Sequence, residues 1–280
     1  MRFILLFIFI ALINSCEDPV PFDYVPNNVV EAFIVVGEPI RDIRVMRTQN
    51  LSQEFDLENS LIRDAEVRIF NENVDLKLEI EDSGTQGYYY PEEYLVEPLT
   101  NYNLEITLSD GSKITGSTRT PTNSIWVKKT PNPLKYPIDT TNLPDRYSIS
   151  WEKNASFDFY HLQVKALDTI GYGQYLDPPT EELNRRIEED FASENYYYEL
   201  TNNAFLPTSE TAIVWDVFKF YGMQEITIFT PDLNWQKWFL QHVASAEYNE
   251  LLNSLEGNGF GTFASAGAIR DTFFLVKNQP

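Results

Sequence analysis

Alternation with a period of two limits this chain more than any other feature. Tyr102, Leu104, Ile106 and Leu108 interleave with Asn103, Glu105 and Thr107. Only a strand half-buried against a core needs that pattern, because successive side chains point to opposite faces. The pattern recurs through Ile43 and Val45, through Ala65, Val67 and Ile69, and through Leu76, Leu78 and Ile80. Val29 to Val36 is a more continuous apolar run, broken by Gly37-Glu38-Pro39. Leu51 to Ser60 reads as a polar loop, and Gly84 to Gly87 as a turn. Asp110-Gly111 reads as a two-residue type I′ hairpin turn, with Ile114 opening the partner strand, which ends near Pro121. Many short strands at regular spacing make the chain mainly β and predict a β-sandwich.

The second half repeats the pattern with interruptions. A strand is expected at Ile125 to Lys128. Tyr147, Ile149 and Trp151 alternate with serines, and Tyr160, Leu162, Val164 and Ala166 alternate with polar residues. Further strands are expected over Ile213 to Tyr221, Glu225 to Thr230 and Thr272 to Val276. Two helices interrupt them. Thr180 caps the first, near 180–192, with Leu183, Ile187 and Phe191 on one face. Pro231-Asp232 opens the second, near 233–255, with Trp235, Trp238, Phe239 and Val243 on one face, Leu255 in its last turn and Gly257 ending it.

The amino terminus carries a location signal. Arg2 precedes an apolar run from Phe3 to Ile13, too short for a membrane span, which needs about 20 residues. Asn14, Ser15 and Cys16 follow, and Cys16 is the chain's only cysteine. Ile13 three residues before the cysteine and the small Ser15 just before it satisfy a lipoprotein cleavage signal. Residues 1–15 are then a signal peptide, and Cys16 is the lipidated new terminus. Several palmitate-type acyl chains on one residue hold the membrane firmly, at about 0.8 kcal/mol per buried CH2. Residues 16–28 are Pro-rich and polar and read as a tether. Glu17 and Asp18 resemble the surface-export signal of Bacteroidota-type lipoproteins, which implies display at the cell surface; a solvated acidic tether is the alternative.

Composition narrows the partners. Hydrophobic residues make up 43% of the chain and aromatics 14%, which excludes disorder. The net charge of −21 argues against nucleic acid and against an anionic membrane surface.

Several motifs resemble a known family. Asp64-Ala65-Glu66-Val67-Arg68-Ile69 is similar to a strand of carboxypeptidase-regulatory-like and transthyretin-like sandwiches. Gly87-Tyr88, the Tyr102 to Ile106 strand and Asp110-Gly111 continue the same order. From Cys16 through Val30-Glu31-Ala32 to Thr120-Pro121, the chain resembles a Bacteroidota outer-membrane lipoprotein family of unknown function, commonly encoded beside TonB-dependent receptors. That family places Pro-Gly before the Tyr-x-Leu-x-Ile strand, whereas Pro98-Leu99-Thr100-Asn101 stands here. Asn258 to Gly267 resembles its carboxyl-terminal Asn-Gly-x-Gly-x-Phe stretch. Ser148 to Trp151 with Phe159 to Val164 resembles two strands of fibronectin type III sandwiches. Together these imply two Ig/fibronectin-like β-sandwich domains, residues 29–121 and 122–280, the second carrying the helical insertions.

No reaction is legible. His161, on the polar face of a strand, and His242 stand apart, and no cysteine is free to join them in a metal site. Phe263 stands two residues before Ser265, where a nucleophile elbow requires glycine. No phosphate loop, dinucleotide fingerprint or calcium loop occurs, and no cofactor is implied. Three groups could meet a partner. Tyr88, Tyr89 and Tyr90, with Tyr196, Tyr197 and Tyr198, could stack on glycans or simply suit strands. Trp235, Trp238 and Phe239 could form a docking face or pack on their own sandwich. Asn258, Gly259 and Phe260 could form a contact loop or a bulge. The expected function is that of a non-enzymatic, lipid-anchored outer-membrane protein, accessory to a TonB-dependent receptor by resemblance. The alternative is a surface glycan-binding or adhesion module.

Overall fold

The computed structural model describes residues 24–50, 52–137, 147–153, 159–167, 201–218, 220–243 and 253–276. The signal peptide, Cys16, the helix near 180–192 and Tyr196 to Tyr198 lie outside them. The chain is mainly β, with several sheets.

The first strands are β1 (Asn28–Val35), β2 (Arg44–Arg47), β3 (Glu66–Phe70), β4 (Asp75–Lys77), β5 (Glu79–Ile80), β6 (Tyr88–Tyr89), β7 (Asn101–Thr107) and β8 (Lys113–Arg119). Then come β9 (Trp126–Lys128), β10 (Leu134–Lys135), β11 (Ser148–Trp151), β12 (Tyr160–Ala166), β13 (Thr201–Leu206) and β14 (Glu210–Ala212). The last are β15 (Gly222–Pro231), β16 (Leu255–Gly257) and β17 (Phe260–Val276). Helix α1 is a single turn, Leu57–Ser60, and α2 is Leu233–Val243.

The 17-residue β17 holds the fold together. One edge pairs antiparallel with β15, from Gly222↔Leu275 to Pro231↔Ala266. The other pairs in parallel first with β1, from Val29↔Phe260 to Val35↔Ala266, and then with β10. The resulting sheet runs β13-β12-β15-β17-β1-β2. A second sheet runs β16-β8-β7-β3-β4, and a third β14-β11-β9. Strand pairing thus crosses the junction expected near Pro121: β1 is completed by β17, and β8 by β16.

Two cores and a smaller cluster result. Val30, Ala32 and Ile34 of β1 pack with Val67, Ile69, Tyr102, Leu104, Ile106 and Phe263. Ile149, Trp151, Tyr160, Val164, Ile226, Ile228, Phe273 and Leu275 form the second core. The opposite face of β1 sends Phe33 and Val35 to a third cluster with Phe229, Trp235, Ala264 and Ala266, beneath α2. β1 is therefore covered on both faces, which explains its continuous apolar sequence.

The structure departs from several sequence expectations. Ser109-Asp110-Gly111 is a three-residue loop, since Leu108 pairs with Ser112 and only Gly111 adopts positive φ (82°). A type I′ turn would need Asp110 there too. The loop before Ser60 contains α1, because the Asp56 side chain accepts from the Asn59 N–H and caps a turn. Leu76 to Ile80 divides into β4, which pairs with β3, and β5, which pairs with β6. In place of a strand over 213–221, Trp215–Val217 is a 3-10 turn that buries Trp215. Leu255 ends no helix. Gly116 leaves the room its side chain fills, and the Asn253 carboxamide oxygen accepts from the Leu255 and Gly261 N–H groups. The Gly-rich stretch after Asn258 is not a loop either, because Phe260 already begins β17.

Candidate functional site

The three groups singled out in the sequence have different fates. Asp232 caps α2 by accepting from the Trp235 N–H at 2.9 Å, and the apolar face lands on the sheet. Trp235 is buried, with its ring 4.8 Å from Phe33. Trp238 lies edge-on to Phe33 at 5.2 Å, and Phe239 stacks on Phe205 at 3.5 Å. The docking face is thus committed to the chain's own core. His161, expected on a polar face, is buried there too. It stacks on Phe205 at 4.5 Å and Phe229 at 5.2 Å, and its Nε2 bonds Asn203 Oδ1 at 2.9 Å. Removal from water lowers its pKa.

Tyr88 is also internal. Its hydroxyl donates to the Ile62 carbonyl and accepts from the Ala65 N–H, and burial pushes its pKa up to about 12. Tyr89 and Tyr90 are half-buried, with Tyr90 edge-on to Tyr94. Asn258 and Gly259 form the β16–β17 turn, and Phe260 begins β17. Asn258 and Phe260 line a pocket of about 340 Å3 with Val25, Asn28, Arg47 and Asp110. The Asn258 carbonyl accepts from Asn28 Nδ2 at 2.9 Å, so this turn sits where the chain leads into β1.

A larger groove, of about 850 Å3, opens at the other end of β7 and β8. Its floor follows from strand alternation. Tyr102 and Leu104 turn inward, so Asn101 and Asn103 turn outward. The register sets Arg119 opposite Asn101 and Ser117 opposite Asn103, giving a two-by-two polar array. The first turn of α2 forms one wall. Asn234 Nδ2 fixes it by donating to the Ser117 and Phe263 carbonyls, both at 2.8 Å. Leu99, Glu72, Thr122 and Leu233 complete the lining. Leu99 and Leu233 are largely exposed, and Leu99 has a left-handed φ of 54°.

Beneath the wall lies a buried polar relay. Thr118 Oγ1 donates to Asp232 Oδ2 at 2.5 Å and lies 2.7 Å from Ser265 Oγ. Burial raises the Asp232 pKa, while the bonds from Thr118 and the Trp235 N–H oppose the rise. Above it, Arg119 and Glu72 form no ion pair among the described residues. The groove therefore offers one cation, the exposed carboxylate of Glu72, the engaged carboxylate of Asp232, three carboxamides and two apolar rims. Sequence reading missed it because its residues come from positions 72, 99–122 and 232–234, each of which looks like an ordinary solvated face.

A mainly β protein with a polar groove at one sheet end is the class that fold and site define. The chain belongs to the family described as a domain of unknown function (DUF4249), which matches residues 17–258 and so takes in every element from β1 to β16. No curated protein matches it. Among the described residues, no helix is long and apolar enough to cross a membrane.

Proposed function

We propose that this is a lipid-anchored, non-enzymatic binding protein of a Bacteroidota-type outer membrane, an accessory to a TonB-dependent receptor. Cys16 carries the lipid, and the residues between it and Tyr24 tether the folded part to it. One observation carries this reading. Val25 to Asn28, which lead into β1, lie beside Asp110 and Asn258, whereas the groove lies at the Asn101 and Arg119 end of β7 and β8. Lys113 and Arg119 are six positions apart along β8, about 20 Å at strand rise. An anchor at Cys16 would therefore hold one end near the membrane and turn the groove away from it, towards a partner or incoming ligand. The glycan-binding alternative is weakened by the internal commitment of Tyr88.

The test is purification of the tagged protein from detergent-solubilised membranes, with mass spectrometry of its companions. A chain lacking residues 1–15 and carrying Cys16→Ala is the control. A stoichiometric outer-membrane β-barrel, absent from the control, is the expected result. Recovery of the protein alone, under conditions that preserve other membrane complexes, would overturn the receptor reading.

A further inference from the structure

The geometry points to a ligand class for the groove: a short peptide of about three or four residues with both termini free, lying extended across β7 and β8. The inference rests on the groove being the working face, as proposed above, but not on the receptor.

The opposite charges carry the first part of the argument. Arg119 stands on β8 and Glu72 in the turn after β3, with β7 between them. Two interstrand spacings put their backbones roughly 10 Å apart. The two side chains do not pair with each other, and neither pairs elsewhere among the described residues. An extended peptide advances about 3.3–3.6 Å per residue, so about three residues bridge such a gap. Its carboxylate would meet the guanidinium, which can hold both oxygens at once, and its ammonium would meet Glu72.

The amides carry the second part. Asn101 stands on the line between the two charges, opposite Arg119 on β8 and beside the turn that carries Glu72, while Asn103 lies one step along β7 to the side. A peptide that bridges the charges crosses the strands there and presents its central N–H and C=O groups to Asn101. A carboxamide can donate to a peptide carbonyl and accept from a peptide N–H. Neither side chain makes a hydrogen bond within the described residues. The exposed Leu99 and Leu233 supply apolar contact for the ligand's side chains. Among the described residues no aromatic ring lines the groove, so a stacked sugar fits it poorly.

Calorimetric titration of the detergent-solubilised full chain tests this, without any receptor. The probe is the tetrapeptide Ala-Leu-Ala-Leu in free, N-acetylated, C-amidated and doubly blocked forms. The free peptide is expected to bind saturably, and each single block to weaken it roughly tenfold or more. In Arg119→Gln the amidation penalty disappears, and in Glu72→Gln the acetylation penalty disappears. Both side chains are exposed, so unchanged melting temperatures of the variants certify folding. Absence of saturable binding at millimolar free peptide overturns the inference. So does equal binding of blocked and free forms, or a penalty that survives its variant. If amidation alone matters, the ligand is the tail of a larger protein and the short-peptide assignment fails. Peptide binding by a protein that purifies alone would leave this inference standing and remove the receptor. A receptor complex with no peptide affinity would do the reverse.

Discussion

Thr118 and Asp232, 114 residues apart in sequence, meet through a 2.5 Å hydrogen bond beneath the groove. Asp232 also caps α2, so this bond ties the helix to the second sheet. Replacing Asp232 by Ala removes a cap and leaves the buried Thr118–Ser265 hydroxyl pair without its acceptor, and is expected to cost about 2 kcal/mol or more. Asp232→Asn keeps the Trp235 cap and the Thr118 contact: the amide donates to Thr118, which then donates to Ser265. The raised carboxyl pKa sets the pH dependence. Stability from the protonated form is complete below the ordinary value of 3.8 and is lost as pH rises through the folded value. Urea midpoints should therefore show the wild type losing ground to Asp232→Asn as pH rises through that window. A parallel pair of pH profiles would refute the assignment.

His161 has the opposite dependence. Its folded pKa is lowered by burial between Phe205 and Phe229, and among the described residues Nδ1 has no hydrogen-bond partner. The unfolded chain takes up a proton as pH falls through the ordinary value of 6.5, while the folded chain does not until lower pH. Stability should decline over that interval. His161→Phe keeps the ring stack and should flatten this part of the curve. Thermal midpoints of the two proteins at about pH 7.5 and 5.5 give the comparison.

Much of this architecture is written in local pattern. The outward and inward residues of β7 and β3 follow from alternation alone, and the start of α2 from Pro231-Asp232 and the spacing of Trp235 and Trp238. The pairing of β1 with β17 is not local. Val29 meets Phe260 across 231 positions, and both runs suit strands with many possible neighbours. Leu255 was hidden for a related reason. Its spacing from Leu251 and Leu252 suits a helix, and only the gap at Gly116, on a distant strand, places it in a sheet. His161 alternates correctly as an outward residue, but sequence pattern cannot reveal that α2 covers that outward face. The groove has no signature because concavity arises only when α2 meets β8.

Leu99 occupies the turn where the resembled family has Pro-Gly, and it adopts the left-handed φ of 54° that glycine would accept freely. Left-handed backbone costs a side-chain-bearing residue about 1–2 kcal/mol, and glycine gives back part of that through its freer unfolded chain. Because Leu99 is 59% exposed, little burial is lost on truncation. Leu99→Gly should stabilise by about 0.5–1 kcal/mol in urea denaturation. If the leucine serves the groove, the same change should weaken the free tetrapeptide. A destabilised Leu99→Gly would mean that its side chain holds the turn in place.

Gly261 tests the seam between β1 and β17. Its φ is 123°, and a Cβ there would stand 2.0 Å from the Val30 carbonyl oxygen. That oxygen belongs to backbone paired on both edges, since Val30 also faces Val45 of β2, so it cannot retreat without opening the sheet. Gly37 also has positive φ (80°), but no atom lies within 4 Å of its would-be Cβ. Gly37→Ala should therefore cost only the backbone strain, about 1–2 kcal/mol. Gly261→Ala should cost about 3 kcal/mol or more, because the clash adds to the strain. Chemical denaturation of both variants isolates the close approach. Equal costs would mean that β17 is not seated against β1 at Val30, and the parallel pairing that joins the two halves of the chain would be wrong.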